Sequence, residues 1–348
     1  QCAVFDRSPD DDLQGLSRED KTFLDIMSKG VNRTHDGHLQ LPLPIKNKVM
    51  PNNRAAVYQR TRTTLDRLKS DSVKMKACLE SMSKSLNAGF IEPVPREEVF
   101  QPLTKPWYVP IFCVYNAKKE KVRLVYDASA KYGGMSLNDN LYQGPDLTNH
   151  LRGVLLRFRE RLIAFGADIE AMFSNFKVPK EHCDFLRFFW YNDNDCSKEL
   201  IEYRSTSHIF GCSSSPSVAN YGLKYCAIND PNEDHQDARR YIILSFYVDD
   251  GLYSTSSVEN AVKIISDSRT LLQESHIRLH KIISNSDEVL QAFPPSEVAQ
   301  NADHLDLQSS SIQRTLGVSW DTQRDVFMMN VTLPKRPFTK RGIVAVIN

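Results

Sequence analysis

One stretch limits what this chain can fold into more than any other: Tyr241–Ser254, reading YIILSFYVDDGLYS. Eight mostly apolar or β-favouring residues run into two adjacent carboxylates, a glycine and a second short β-type run. The pattern predicts a buried strand and a hairpin, with Asp-Gly at the turn because glycine accepts positive φ without strain. Asp249 and Asp250 then sit together at the edge of a core, where paired carboxylates repel unless a cation or a proton neutralises them. Taken alone, DDG reads as a solvated turn. The remainder of the chain has to decide otherwise.

The chain of 348 residues is long enough for two or three packed subdomains. Its 44 Lys and Arg nearly balance 43 Asp and Glu, so any binding of nucleic acid requires a local basic surface. No apolar run approaches the length of a membrane span, and the opening residues carry no signal-peptide pattern. QCAVFDRSPDDD lacks an initiator Met, as a fragment of something longer would. Seven scattered cysteines without a CxxC pair fit free thiols in a reducing, intracellular compartment.

In order, residues 1–50 read as an acidic, then Pro-rich extended lead-in around a short helix near 17–28. Residues 51–100 form a helical segment, with Leu65, Leu68, Met75, Leu79, Met82 and Leu86 at three- and four-residue steps and Gly89 as the stop. Residues 107–115 and 121–127 predict a hairpin whose tip carries Lys118, Lys119 and Lys121, with Arg123 nearby. Such a hairpin suits a polyphosphate, although lysine at a hairpin tip equally serves solubility and edge protection. A Gly/Asn/Pro-rich loop leads to an amphipathic helix capped by Thr148 or Asn149. RLIAFGADIEAMF then predicts a buried strand ending at Asp168, an acid placed either as a ligand or as a helix cap. LRFFWYND with ELIEYRS predicts a second hairpin, and HIFGCSSSPSVAN a small-residue loop feeding a helix. After YVDDG come an amphipathic helix, a short strand LHKIISN, and a final pair, LGVSWD opposite VFMMNVTL.

The order of these parts resembles a retroelement reverse transcriptase, most closely the polymerase of Bel/Pao long-terminal-repeat retrotransposons. The resemblance rests on VRLVYDASAKYGGMSLNDNLYQGPDL, ADIEAMFSNFKV, DFLRFFWYND, IFGCSSSPSVAN, FYVDDGLYS, LHKIISNSDEVL and LGVSWD, spanning roughly residues 85–345. It implies an α+β right-hand polymerase with fingers and palm over residues 101–334, and a thumb that is absent or only begun at 335–348.

The resemblance also implies site residues. Asp168, Asp249 and Asp250, with the Ile169 carbonyl, would hold two Mg²⁺ ions, for which Mn²⁺ can substitute; hard cations take oxygen donors and suit in-line phosphoryl displacement. Arg123, assisted by Lys119 or Lys121, would contact the triphosphate of a dNTP. Phe173 would exclude a 2′-hydroxyl, Gly211, Ser215 and Pro216 would line the nascent base pair, and Lys281 would stand at the leaving pyrophosphate. Leu316, Gly317 and Trp320 would belong to the primer grip. Implied partners are an RNA or DNA template with primer, dNTPs, and the remaining polyprotein (protease, RNase H, integrase), with no membrane. Phe210 departs from the Gln of many retroviral relatives. His276 and His280 read as surface residues, and neither an aspartic-protease D-[ST]-G motif nor an RNase H acidic set occurs. The competing expectation is a degenerate or domesticated remnant that binds nucleic acid without catalysis.

Overall fold

The computed structural model describes residues 15–46, 49–116, 121–299, 304–306, 318–322, 324–329 and 339. Ser17 caps α1 (Arg18–Gly30) in a reciprocal arrangement with Asp20, and the helix is followed by a two-stranded clip, β1 (Asn32–Arg33) and β2 (Leu39–Gln40). Phe23 and Met27 of the helix and Leu39 and Leu41 beyond it are fully buried in the main core. The helical periodicity after Asn53 resolves into two helices, α2 (Arg54–Lys69) and α3 (Ser72–Asn87). They part at Asp71, whose carboxylate accepts from the Lys74 amide and starts a new helix.

Next come β3 (Ile91–Pro93), α4 (Arg96–Phe100) and the hairpin β4 (Ile111–Asn116) with β5 (Lys121–Tyr126). Pro110 precedes β4 and has no amide hydrogen to give a sheet partner, so the strand starts later than the apolar run at 107. Helix α5 (Leu151–Phe158) has neither of the expected caps: His150 holds that position without a side-chain bond. Asn149 instead donates to the carbonyls of Ile243 and Phe246, tying the helix start to the region before Asp249.

The expected buried strand forms as β6 (Ile163–Ile169), running one residue beyond the expected end at Asp168, and a 3₁₀ turn, Met172–Asn175, follows. After α6 (Lys180–Cys183), the expected second hairpin forms from β7 (Arg187–Tyr191) and β8 (Leu200–Ser205), to which β3 adds an edge. The small-residue loop leads into α7 (Ser215–Ile228).

The stretch YIILSFYVDDGLYS departs from expectation. Residues 241–245 close a helix, α8 (Gln236–Ser245), and only β9 (Phe246–Tyr247) remains extended before β10 (Asp250–Thr255). Ala238, Tyr241, Ile242 and Ser245 are its buried positions, a 3.6-residue stripe that begins upstream of the apolar run. The turn also shifts. Asp250 pairs with Tyr247, so the two-residue loop is Val248-Asp249, while Gly251 lies inside β10. Glycine is needed there for a close approach, since a Cβ would stand 2.3 Å from the Tyr241 hydroxyl and 2.5 Å from the Phe246 ring.

Helix α9 (Val258–Gln273), capped by Ser257, leads to β11 (Leu279–Ser284) and α10 (Asp287–Gln291). A last sheet joins β12 (His304–Asp306), β13 (Val318–Asp321) and β14 (Val326–Met329), with Val318–Asp321 opposite Val326–Met329 as expected. The central sheet has the order β11-β6-β10-β9, all neighbours antiparallel. Strand alternation sends Phe165, Ala167 and Ile169 into the large core with α7, α8 and α9. It sends Ala164 and Leu252 to the opposite face, where Val154 and Phe158 of α5 and Trp320 of β13 cover them. A second core lies between α3, β4–β5 and β7–β8. Among the described residues no helix is long and apolar enough to cross a membrane.

Candidate active site

Register places the acids. In the β10–β6 ladder Asp250 is directly opposite Asp168, and the Ile169 amide donates to the Asp249 carbonyl at 2.9 Å. By alternation Asp168 and Asp250 share the face of Ala164 and Leu252, one step past the edge of that apolar cover. Asp249 occupies the turn. The Ile169 side chain is buried in the main core, which leaves its carbonyl as the only group it can offer as a ligand.

Lys281 forms an ion pair with Asp168, and His280 Nε2 stands 3.7 Å from the same oxygen. At that distance His280 makes no hydrogen bond to it. Burial pushes the Asp168 carboxyl up, but His280 and Lys281 outweigh it and the net effect lowers it. The reading of His280 as a surface residue is therefore corrected: its side chain is only 12% exposed and stands beside Asp168. His276 instead stacks on His38 at 4.1 Å, fastening the β1–β2 clip.

Beside the acids opens a groove of about 610 Å³, whose lining includes Asp249, Val248, Phe173, Phe210, Pro216 and Tyr126. Phe173 lies in the 3₁₀ turn after β6, its ring 5.8 Å from that of Phe210. Gly211 has φ +127°, and a Cβ there would stand 2.2 Å from the Tyr126 carbonyl, so only glycine lets this loop lie against β5. Ser215 is buried and donates to the Ile209 carbonyl at 2.7 Å, holding the loop to the start of α7. Pro216 sits in that first turn, where a missing amide hydrogen costs nothing.

Of the expected site residues, Phe173, Pro216 and Asp249 line the groove itself; Asp250 and Asp168 face each other beside Asp249, Lys281 pairs with Asp168, and Gly211 and Ser215 lie on the loop that carries Phe210. Val122, Leu124 and Val125 of β5 also line the groove. Arg123 lies on that strand opposite Val114, and Lys121 opposite Asn116, with their side chains outside the described residues. Lys119, Leu316 and Gly317 lie outside them altogether. Trp320 is fully buried, edge-on to Phe158 at 4.7 Å, and donates from Nε1 to Asp325 at 3.0 Å. Its ring anchors the β13–β14 hairpin to α5 and presents no surface to a ligand.

One feature of the site escapes sequence reasoning. Ala171, Val248 and Lys281 all have left-handed backbones, φ 51°, 59° and 49°, and each adjoins an acid or the aromatic wall. A β-branched residue in this region is an outlier, and such strain costs on the order of 1–3 kcal/mol per residue. Nothing in the residue types signals it.

The donor chemistry suits hard divalent cations: carboxylate oxygens and a carbonyl on two adjacent strands, with no thiol among them. Among the described residues, no three or more His, Cys, Asp or Glu side chains stand close enough together to form a metal-holding cluster. The Asp168 carboxylate is engaged with Lys281.

No family model matches the chain, and no curated protein matches it. Solved structures do. The foamy viral protease-reverse transcriptase dRH in complex with double-stranded DNA superimposes with a TM-score of 0.52 at 15% identity. The match covers 95% of this chain and 49% of that one. The chain has a reverse-transcriptase-like fold. A foamy viral protease-reverse transcriptase with an RNA/DNA hybrid gives a TM-score of 0.49 at 16% identity, covering 96% of this chain and 38% of that one. The chain spans about half or less of the length of these neighbours.

Proposed function

We propose that this chain is the fingers and palm of an RNA-directed DNA polymerase from a Bel/Pao-type retroelement. The observation that carries the reading is the register: Asp250 opposite Asp168, with Asp249 in the adjoining turn, at the mouth of an aromatic-walled groove. The seven ordered motifs and the reverse-transcriptase-like fold support it. A neighbour solved with double-stranded DNA supports nucleic acid as the partner.

In this reading Asp168, Asp249, Asp250 and the Ile169 carbonyl hold Mg²⁺ ions. When bound, the ions neutralise charge on the triphosphate and favour the ionised primer 3′-hydroxyl. The 3′-oxygen, its proton passed to solvent water, forms a bond to the α-phosphorus of a dNTP as the bond to the bridging oxygen breaks. Lys281 Nζ, released from Asp168, gives its proton to the departing pyrophosphate. Arg123, with Lys119 or Lys121, steadies the β- and γ-phosphates. Phe173 packs under the sugar and disfavours a 2′-hydroxyl. Trp320 keeps the β13–β14 hairpin on α5, and Leu316 and Gly317 serve as primer-grip residues. Template and primer bind largely through phosphates, so affinity falls steeply with salt.

The test is incorporation of one dNTP onto a DNA primer annealed to RNA, with and without Mg²⁺. Extension requiring both the metal and a matching template supports the reading. One observation favours a second: Lys281 already neutralises Asp168, as in a binding module that has lost its metal. That reading expects duplex binding without extension in the same assay.

A further inference from the structure

Phe210 is an apolar ring that the fold holds out into water. Its side chain is among the exposed large hydrophobics at 61%, yet its neighbours on either side of Gly211, Ile209 and Cys212, are buried at 3% and 5% in the second core. The backbone between them is fastened at several points. Asn138 donates to the Gly211 carbonyl at 3.2 Å and accepts from the Ser213 amide at 2.9 Å, while Ser215 holds the Ile209 carbonyl. Gly211 is pressed against Tyr126 with no room for a side chain. A loop this constrained places the ring on purpose, and the aromatic ring it meets is Phe173, at 5.8 Å and 52°.

We infer that Phe210 is a positioning residue for sugar discrimination, acting through Phe173. The inference rests on the polymerase reading and extends it. Phe173 sits on a four-residue 3₁₀ turn behind a left-handed Ala171, a weak platform for a ring that must stand still. Discrimination by a ring face works only if the ring cannot yield: a ribose 2′-hydroxyl pressed on it loses its water partners and gains none. Phe210 packs beside that ring, centroids 5.8 Å apart, and so limits its movement on that side. Both rings line the same groove as Asp249, where the sugar of a nucleotide would enter.

The experiment is single-nucleotide primer extension, read as the ratio of kcat/KM for a dNTP to that for its NTP. It compares wild type, Phe173→Val, Phe210→Ala, Phe210→Tyr and the double variant Phe173→Val/Phe210→Ala. Phe210→Ala is expected to lower the ratio about tenfold, the scale of a lost packing contact. Phe210→Tyr, which keeps the ring, restores it. The double variant matches Phe173→Val alone, because both changes act on one element. The thermal midpoint of Phe210→Ala stays at the wild-type value, as expected of a ring already in solvent. A ratio in Phe210→Ala within about twofold of wild type, or effects that multiply in the double variant, overturns the inference and leaves the polymerase reading standing. No extension by the wild type on any template overturns both.

Discussion

Two regions of this molecule concentrate charge, and they do so in opposite ways. Behind β7 and β8, Arg187 is fully buried; its guanidinium reaches Asp184 at 2.6 Å and Glu202 at 2.9 Å. Glu202 also accepts from Arg54 at 2.8 Å and from the Tyr108 hydroxyl at 2.9 Å, and Arg204 bridges Glu92 and Glu98. Burial, then the Glu202 charge, pushes the Tyr108 hydroxyl up to about 12. Every charge there meets an opposite charge inside the protein. At the β6–β10 edge Asp250 stands opposite Asp168, Asp249 occupies the adjoining turn, and Lys281 and His280 lie beside Asp168. The first arrangement is closed and makes sense as architecture. The second borders a groove through Asp249 and adjoins left-handed residues; in the proposed reading it takes cations and phosphates.

This contrast can be broken by experiment. The largest effect is expected from Asp168→Asn, which should lower primer extension on the order of 10²–10³-fold. Its denaturant midpoint should move little, because its ion-pair partner Lys281 is largely exposed; a large loss of stability would place it with the closed network instead. Arg187→Met should behave in reverse. Removing one partner of a buried pair costs about 3–5 kcal/mol, so urea unfolding should shift strongly. At temperatures where the variant remains folded, extension should persist.

Gly251→Ala sharpens the boundary between the two kinds of region. The added methyl has no room against Tyr241 and Phe246, and overpacking of this kind costs about 1–3 kcal/mol. Because the strain sits one residue from Asp250, activity should fall together with stability, measured by extension and unfolding on the same preparation. The smallest effect concerns pH. Arg204 beside Glu98 holds that carboxyl below its ordinary 4.5. A depressed acid contributes stability that is present above the ordinary value and lost as pH falls through the folded one. Stability followed by circular dichroism should therefore decline below about pH 4.5, and Glu98→Gln should flatten part of that decline.

Much of this was legible in the residues. The apolar run before Asp168, the two hairpins, the amphipathic helix after YVDDG and the pairing of LGVSWD with VFMMNVTL form largely as read, because each carries its own period and punctuation. The stretch around Asp249 was harder. YIILS is apolar enough for either structure, and its helical stripe shows only when Ala238 is counted with Tyr241, Ile242 and Ser245. The glycine after DD pointed to the wrong turn, since the fold puts Val248 in the left-handed region and keeps Gly251 for close packing. His280 was unreadable for another reason: its nearness to Asp168 depends on the register of β11 against β6, across more than a hundred residues of chain.

The central claim is that the three aspartates form one catalytic carboxylate site. The most direct measurement compares wild type with Asp249→Asn in Mg²⁺-dependent extension of a primer on RNA, at matched folding by circular dichroism. The account predicts template-directed extension by the wild type and, in the variant, a loss on the order of 10²–10³-fold, as for Asp168→Asn. Equal extension by both would contradict it.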